Sequence, residues 1–408
     1  MNTPNKTKIT DYMLDTIVLK LKYPEFKVEK PHLFHPAFLI DDKQINPDFD
    51  FGRNNYKEYK QNPTSQNKQE GIYMPRLTGY KRFKEYKPTY DLNIEFSIPK
   101  MLFGQSIQEI DAGDLPKIIE LLRQKLWMMG VEVSETALRN AAVIRAHFCK
   151  NIPLSHPSTA QDAMIELSKA NLGKGKDITI RQYGNGGQAL YFYASSVNMI
   201  FYDKLRDISA PKNKATDKDR FKREKLLLQQ LDSNDQLPEI LRFEVRLTNQ
   251  QTLNSFLSKA TGQQVKNMTF ENIFNKELCQ RALLASWEEI TGNPASQLAL
   301  KMEKSFDEIF DVVIKELNPD QRKKAHSLNK TLASFALFML INHCGVRKIR
   351  NKIESNWTGK SWMRLSDIIK ESATTLKEVP PLKIISDIQL ALEKFERYDA
   401  LLNTTEAL

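Results

Sequence analysis

The run "LRFEVRL", residues 241–247, changes character at every position. Phe243, Val245 and Leu247 point to one face, and Arg242, Glu244 and Arg246 to the other. A strand of this kind needs a sheet with one buried face and one polar face, which antiparallel sheets provide. The pattern recurs. In "YDLNIEFSIPK", Leu92, Ile94, Phe96 and Ile98 oppose Asn93, Glu95 and Ser97, and Pro99 and Gly104 end the strand. In "LDTIVLKLKYPEF", Ile17, Leu19 and Leu21 oppose Val18, Lys20 and Lys22. "AAVIRAHFCKNI" is a strand with Arg145, His147 and Cys149 on one face. "DITIRQY", "ALYFYAS" and "NMIFYDK" read as three further strands, the first two joined by the hairpin sequence "GNGGQ".

Helices separate these runs. Asp114, Pro116 and Gly130 bracket "KIIELLRQKLWMM" as N-cap, first turn and stop. Ser158 and Gln161 have capping-box spacing ahead of "AMIELSKANLG". Residues 40–90, polar and rich in Asn, Lys and Tyr, read as loop. A charged connector follows "NMIFYDK". From about residue 250 the periodicity is helical, with an amphipathic stripe over 298–317. "TLASFALFMLINHCGVRKIRNKI" reads as an apolar helix, a turn at Gly345 and a basic helix. That order is either a helix-turn-helix presenting Arg347, Lys348, Arg350 and Lys352 to DNA or an ordinary helical hairpin with a solvated basic face. The fold class is therefore α+β. A central antiparallel sheet with flanking helices occupies about 10–250, and an all-helical domain about 255–408.

The formal net charge of +10 favours an anionic partner. Aromatics interleaved with lysine in "NNYKEYKQ" and "GYKRFKEYKPTY" tilt the choice towards nucleic acid. No apolar run approaches the roughly 20 residues that span a bilayer. Cys149, Cys279 and Cys344 lie too far apart for a metal-ligand motif. A reducing cytoplasm is the expected compartment.

Several reactive groups share the polar sheet face. His147 and Glu244, with Asp207 as a third donor, could hold a divalent cation. Arg145, Arg242, Arg246 and Lys204 could contact phosphates. Tyr202 beside such a centre could attack phosphorus, with Lys204 as its cationic neighbour. Tyr183, Tyr191 and Tyr193 are rival nucleophiles. Equally, Tyr202 could be a packing residue, His147 a satisfied core histidine, and "RFEVR" a solvated Arg–Glu ladder.

The ordered segments "LDTIVLKL", "EFSIPKMLFGQSIQEI", "VIRAHFCKNI", "MIFYDKLRD" and "LRFEVRL" resemble those of the filamentous-phage gene II/X-type replication initiators and their plasmid relatives. The resemblance implies an HUH/Rep-like nuclease fold and a rolling-circle initiator: a metal-dependent, origin-specific DNA nicking and joining enzyme. It implies Tyr202 as nucleophile, Glu244 and Asp207 as metal ligands, and Mg²⁺ or Mn²⁺ as cofactor. It also implies a bacterial cytoplasm. The partners would be a double-stranded origin with a locally unpaired nick site, a host helicase and a host DNA polymerase. Two positions depart from the family pattern. His147 stands where an aspartate is expected, and Asp207 where a glutamate is usual. The competing reading is a non-enzymatic, sequence-specific DNA-binding regulator. A tyrosine recombinase is disfavoured, because the last tyrosine, Tyr398, reads as part of an exposed terminal helix.

Overall fold

The computed structural model describes residues 11–12, 14–40, 56–84, 87–172, 177–182, 188–194, 196–209, 239–301, 328–357, 359–375 and 379–398. Nine strands form its central sheet. In chain order they are β1 (Leu14–Lys22), β2 (Tyr56–Gln61), β3 (Arg76–Lys84), β4 (Lys87–Ser97), β5 (Ala142–Pro153), β6 (Asp177–Gln182), β7 (Gln188–Tyr193), β8 (Val197–Asp203) and β9 (Ile240–Leu247). Across the sheet the order is β6-β7-β8-β9-β5-β1-β4-β3-β2, antiparallel at every step. This is the α+β architecture that the alternating runs require.

The helices, again in chain order, include α1 (Ile98–Phe103), α2 (Leu115–Met128), α3 (Ala160–Leu167), α4 (Lys204–Ser209), α5 (Gln250–Thr261) and α6 (Lys276–Thr291). They continue with α7 (Pro294–Ala299), α8 (Leu328–Cys344), α9 (Val346–Asn356), α10 (Gly359–Thr375) and α11 (Lys383–Lys394).

The apolar sheet face is covered by helices. Ile17, Ile94, Phe96, Phe201, Phe243 and Val245 pack with Leu122 of α2, Leu253 of α5, Trp287 of α6 and Ile388 of α11 in one continuous core. Phe201 and Phe243 are cross-strand partners whose rings stack at 4.4 Å, and Trp287 meets Phe201 edge-on at 6.4 Å. Removing one such buried aromatic would cost about 3–5 kcal/mol, because the cavity is only partly refilled. A second, smaller core gathers Leu298, Phe335, Phe338, Ile341, Val346 and Ile369 from α7 to α10. The helices α5, α6 and α11 thus belong to the core of the sheet. The division expected near residue 250 does not coincide with the parting of the two cores.

Four local expectations are corrected. Residues 56–61 and 76–84, expected as loop, are strands β2 and β3; their charged side chains obscured a strand whose other face packs Tyr59 and Leu77 into the core. Ile98 is the first residue of α1 rather than the last of a strand, and Gly104 closes that helix with φ of 67°. The capping box of α3 is made by Thr159 and Asp162, one residue beyond the expected Ser158 and Gln161. A cap is set by which hydroxyl faces the open backbone N–H groups, and spacing alone allows both registers. Only Gly345 separates α8 from α9. That corner is tighter than the three- to four-residue turn of a helix-turn-helix. Tyr183, the "GNGG" turn, the charged connector and most of the 298–317 stripe lie outside the described residues.

Candidate active site on the polar sheet face

The register of the central strands assembles the site. Arg242 pairs with Tyr202 on one side and Asn151 on the other. Glu244 pairs with Ile200 and Cys149, and Arg246 with Asn198 and His147. Every second residue shares a face, so Tyr202, Arg242, Glu244, Arg246, His147 and Cys149 lie together.

Glu244 is the hub. It is 1% exposed, yet both carboxylate oxygens are occupied. Oε1 lies 3.0 Å from His147 Nδ1 and accepts from Arg246 Nε at 2.9 Å. Oε2 accepts from Arg246 Nη2 at 3.2 Å and from the Tyr202 hydroxyl at 3.2 Å. Burial alone would raise the Glu244 carboxyl; Arg246 and the His147 hydrogen bond outweigh it and hold the group well below the usual range. Glu244 is therefore a fixed anion.

Behind this hub sits a second pair. Arg242, 1% exposed, meets Asp15 Oδ2 through Nη2 at 2.9 Å and donates to the Ser106 carbonyl at 2.8 Å. It also reaches Cys149 Sγ at 3.0 Å. Asp15 accepts from the Ser97 hydroxyl at 2.8 Å. Burial opposes ionisation of Asp15, but the Arg242 charge prevails and lowers its pKa. Arg242 is buried because a cap closes this end of the polar face. Ile107, Leu205, Ile208 and Tyr398 pack against Ile240, the residue two positions before Arg242 on the same face. The expected surface contact of Arg242 with DNA gives way to an internal role, and Tyr398, expected on an exposed helix, is buried in that cap.

Asp15 was not legible in the sequence. Strict alternation places it with Ile17 on the core face. A bulge between Leu14 and Ile17 inserts one extra residue opposite Ala146–Phe148. Both Leu14 and Ile17 stay in the core, and Asp15 turns to the polar side.

Tyr202 is half-buried. Burial raises its phenol pKa well above the usual value, Arg242 opposes that shift, and Glu244 and Asp207 reinforce it. Lys204 does not continue the strand, as simple alternation requires, but starts α4. Its ammonium nevertheless lies 5.6 Å from the Tyr202 ring centroid. Burial, then Arg242, depresses the Lys204 pKa to about 8.

Asp207 does not join His147 and Glu244. It sits one helical turn beyond Lys204, 3.6 Å from that ammonium. Among the described residues, no three His, Cys, Asp or Glu side chains gather where they could share a metal ion. The donors present fit such an ion in part. Ligands on adjacent corners of a Mg²⁺ shell lie about 3 Å apart, which matches His147 Nδ1 to Glu244 Oε1. Mg²⁺ commonly completes its shell with water and phosphate oxygens. Arg246 would have to release an oxygen of Glu244.

The other expected contacts are more open. Arg145, near the same hub, donates to the Thr248 carbonyl at 3.2 Å and lies 3.8 Å from Glu95. Tyr191 and Tyr193 are on β7, paired with Ile200 and Asn198. Arg347, Lys348 and Arg350 lie on α9, outside this constellation. Arg350 bonds Glu354 at 2.8 Å and covers the Trp362 ring at 5.4 Å. No described helix is long and apolar enough to cross a membrane.

No protein-family model matches the chain. No curated protein matches it either. Among solved structures, a match covers 60% of this chain and 77% of a rolling circle replication initiator protein from Geobacillus stearothermophilus, at 11% sequence identity and a TM-score of 0.25. A likeness that distant leaves the activity to be argued from the side chains themselves.

Proposed function

We propose that the chain is a replication initiator that nicks one DNA strand through Tyr202 and later rejoins it. The observation that carries this reading is the Tyr202–Glu244 hydrogen bond, set among His147, Arg246 and the buried Arg242. A phenol held against a fixed carboxylate and beside several cations suits attack on a phosphodiester. A packing tyrosine would need none of these neighbours.

In the proposed reaction the Tyr202 phenol gives up its proton to neutral Lys204, its oxygen bonds to phosphorus and the P–O3′ bond breaks. The departing 3′ oxygen takes a proton, leaving a 5′-phosphotyrosine and a free 3′-OH. The reverse attack by a 3′-OH reseals the strand without ATP, because the phosphotyrosine bond retains the phosphodiester energy. Glu244 orients the phenol and accepts its hydrogen bond. Arg246 and Arg145 meet phosphate oxygens, which they recognise through charge-assisted hydrogen bonds. Arg242 favours the phenolate from beneath. Lys204 supplies a nearby proton-exchanging group, since its pKa of about 8 lets both forms exist near neutrality. Mg²⁺ or Mn²⁺, when bound by His147 and Glu244, would neutralise phosphoryl charge. Asp207 would act by setting the charge of Lys204.

The DNA would be an origin whose nick site is locally unpaired. A host polymerase would extend the 3′ end behind a host helicase. The test is incubation of the protein and its Tyr202→Phe variant with single-stranded oligonucleotides from the replicon and Mn²⁺. A denaturation-resistant protein–DNA adduct with wild type alone supports the reading. Cleavage by both proteins refutes Tyr202 as nucleophile. Binding without cleavage favours the regulator.

A further inference from the structure

A second basic feature lies outside the tyrosine site. Lys348, Asn351, Lys352 and Ser355 recur at helical spacing along one exposed side of α9. The opposite side carries Val346 and Ile349 into the second core. The exposed side does not stand alone. With Arg347 it forms one wall of a groove of about 580 Å³, whose other wall is Ser168 and Lys169, just after α3. Among the described residues that line the groove, four are cationic and none is a carboxylate.

The two walls are fixed against each other. Gly345 has φ of +77°, and a Cβ there would lie 3.0 Å from the Lys169 backbone. Only glycine allows that approach at that angle. Next to it, the Ser296 hydroxyl accepts from the Asn171 backbone N–H at 2.9 Å, and Asn293 donates to the Asn171 carbonyl. The segment after α3 is thereby stitched to α7. Lys169 is held by Glu166 at 2.7 Å, outside the groove lining. Arg350, which sequence alone assigns to DNA, faces Glu354 and Trp362 instead.

We infer that this groove between α9 and Lys169 binds the phosphate backbone of duplex DNA. The inference rests on the DNA-directed reading above but not on the tyrosine chemistry. A rigid row of lysines and small hydrogen-bonding side chains suits phosphate oxygens, which are spaced regularly and carry no sequence information. Lys169 is the residue it adds, set across the groove from Lys348 and Lys352 of α9. The groove would anchor double-stranded DNA while an unpaired segment reaches Tyr202.

The test measures binding of a fluorescein-labelled mixed-sequence duplex over a series of salt concentrations. The full-length proteins are wild type, Lys352→Glu, the double variant Lys169→Gln/Lys352→Gln, and Lys394→Glu as a charge-matched control on the solvent side of α11. Melting temperatures confirm folding. The salt slope should fall by about 1 for each lysine neutralised, so by about 2 in the double variant. Lys352→Glu should weaken binding about tenfold at low salt, and the Lys394→Glu control should show neither groove-sized effect. Wild-type affinity and slope in the double variant, or losses in Lys394→Glu as large as in Lys352→Glu, would overturn the groove. So would absence of duplex binding by wild type. An adduct assay on single-stranded DNA runs in parallel. An adduct without groove-dependent duplex binding refutes the groove and leaves the nicking reading intact. Groove-dependent binding without an adduct supports the groove and refutes the nicking reading.

Discussion

The Tyr202 hydroxyl donates to Glu244 Oε2 at 3.2 Å, across neighbouring strands and in a half-buried position. Glu244 is held in turn by Arg246 and His147. The phenol is thus fixed in direction by a carboxylate that cannot easily take its proton, since the same neighbours keep Glu244 anionic. Orientation belongs to Glu244, and stabilisation of the phenolate to the cations around it.

Replacing Glu244 with Gln keeps the shape but removes the charge. Arg246 and His147 lose their anion, and a single amide oxygen is left where two carboxylate oxygens served Tyr202, Arg246 and His147. Nicking should fall about 100-fold or more, a magnitude typical of removing one preorganised electrostatic partner. A single-turnover rate with excess enzyme checks this; a rate within twofold of wild type would contradict it.

Asp15→Asn should be costly although Asp15 touches no proposed substrate atom. It leaves Arg242 buried with its charge uncompensated, which typically costs about 3–5 kcal/mol. Denaturant unfolding measures it. The double substitution Asp15→Leu/Arg242→Met should recover much of the loss, as apolar replacement of a whole buried pair commonly does.

Acid should destabilise the fold through Asp15 and Glu244. Both have folded pKa values below their unfolded ones, 3.8 and 4.5. Their contribution is complete above those values and is lost as pH falls through the folded pKa values. Glu109 works in the opposite sense. Burial raises its pKa, so its unfavourable contribution grows as pH rises above 4.5. Melting temperatures from pH 2 to 7 should fall on the acid side, and less steeply in Asp15→Asn.

Lys204→Met should separate stability from activity. The folded pKa of about 8 lies below the usual 10.5, so burying this charge costs stability. The cost is absent above 10.5 and complete once pH falls below 8. At pH 7 the variant should gain about 3 kcal/mol, a figure that already includes the opposing pull of Asp207. The gain should disappear as pH rises towards 10.5. Nicking should fall, with its pH dependence near 8 removed.

The sheet was legible because period-two alternation survives wherever one face is apolar. The β9 run alone placed Arg242, Glu244 and Arg246 on one face, and "VIRAHFCKNI" added His147. Strands β2 and β3 were not legible, because their outward charges resemble loop composition. Asp15 was hidden by a bulge, which alternation cannot register. Lys204 reached the expected neighbourhood by a different route, at the start of a helix. Asp207 shows the converse: its chain position suits the family pattern, but α4 turns it towards Lys204. Burial of Arg242 depends on Ile107 and Tyr398, residues far away in sequence that no local pattern connects.

The measurement that tests the central claim most directly is isolation of the covalent adduct. Protein incubated with a 5′-extended, internally cleavable single-stranded oligonucleotide and Mn²⁺ is digested and sequenced by mass spectrometry. The account predicts a nucleotide joined through a 5′ phosphate to Tyr202, absent from Tyr202→Phe. An adduct on Tyr183, Tyr191 or Tyr193, or cleavage with no adduct, would contradict it.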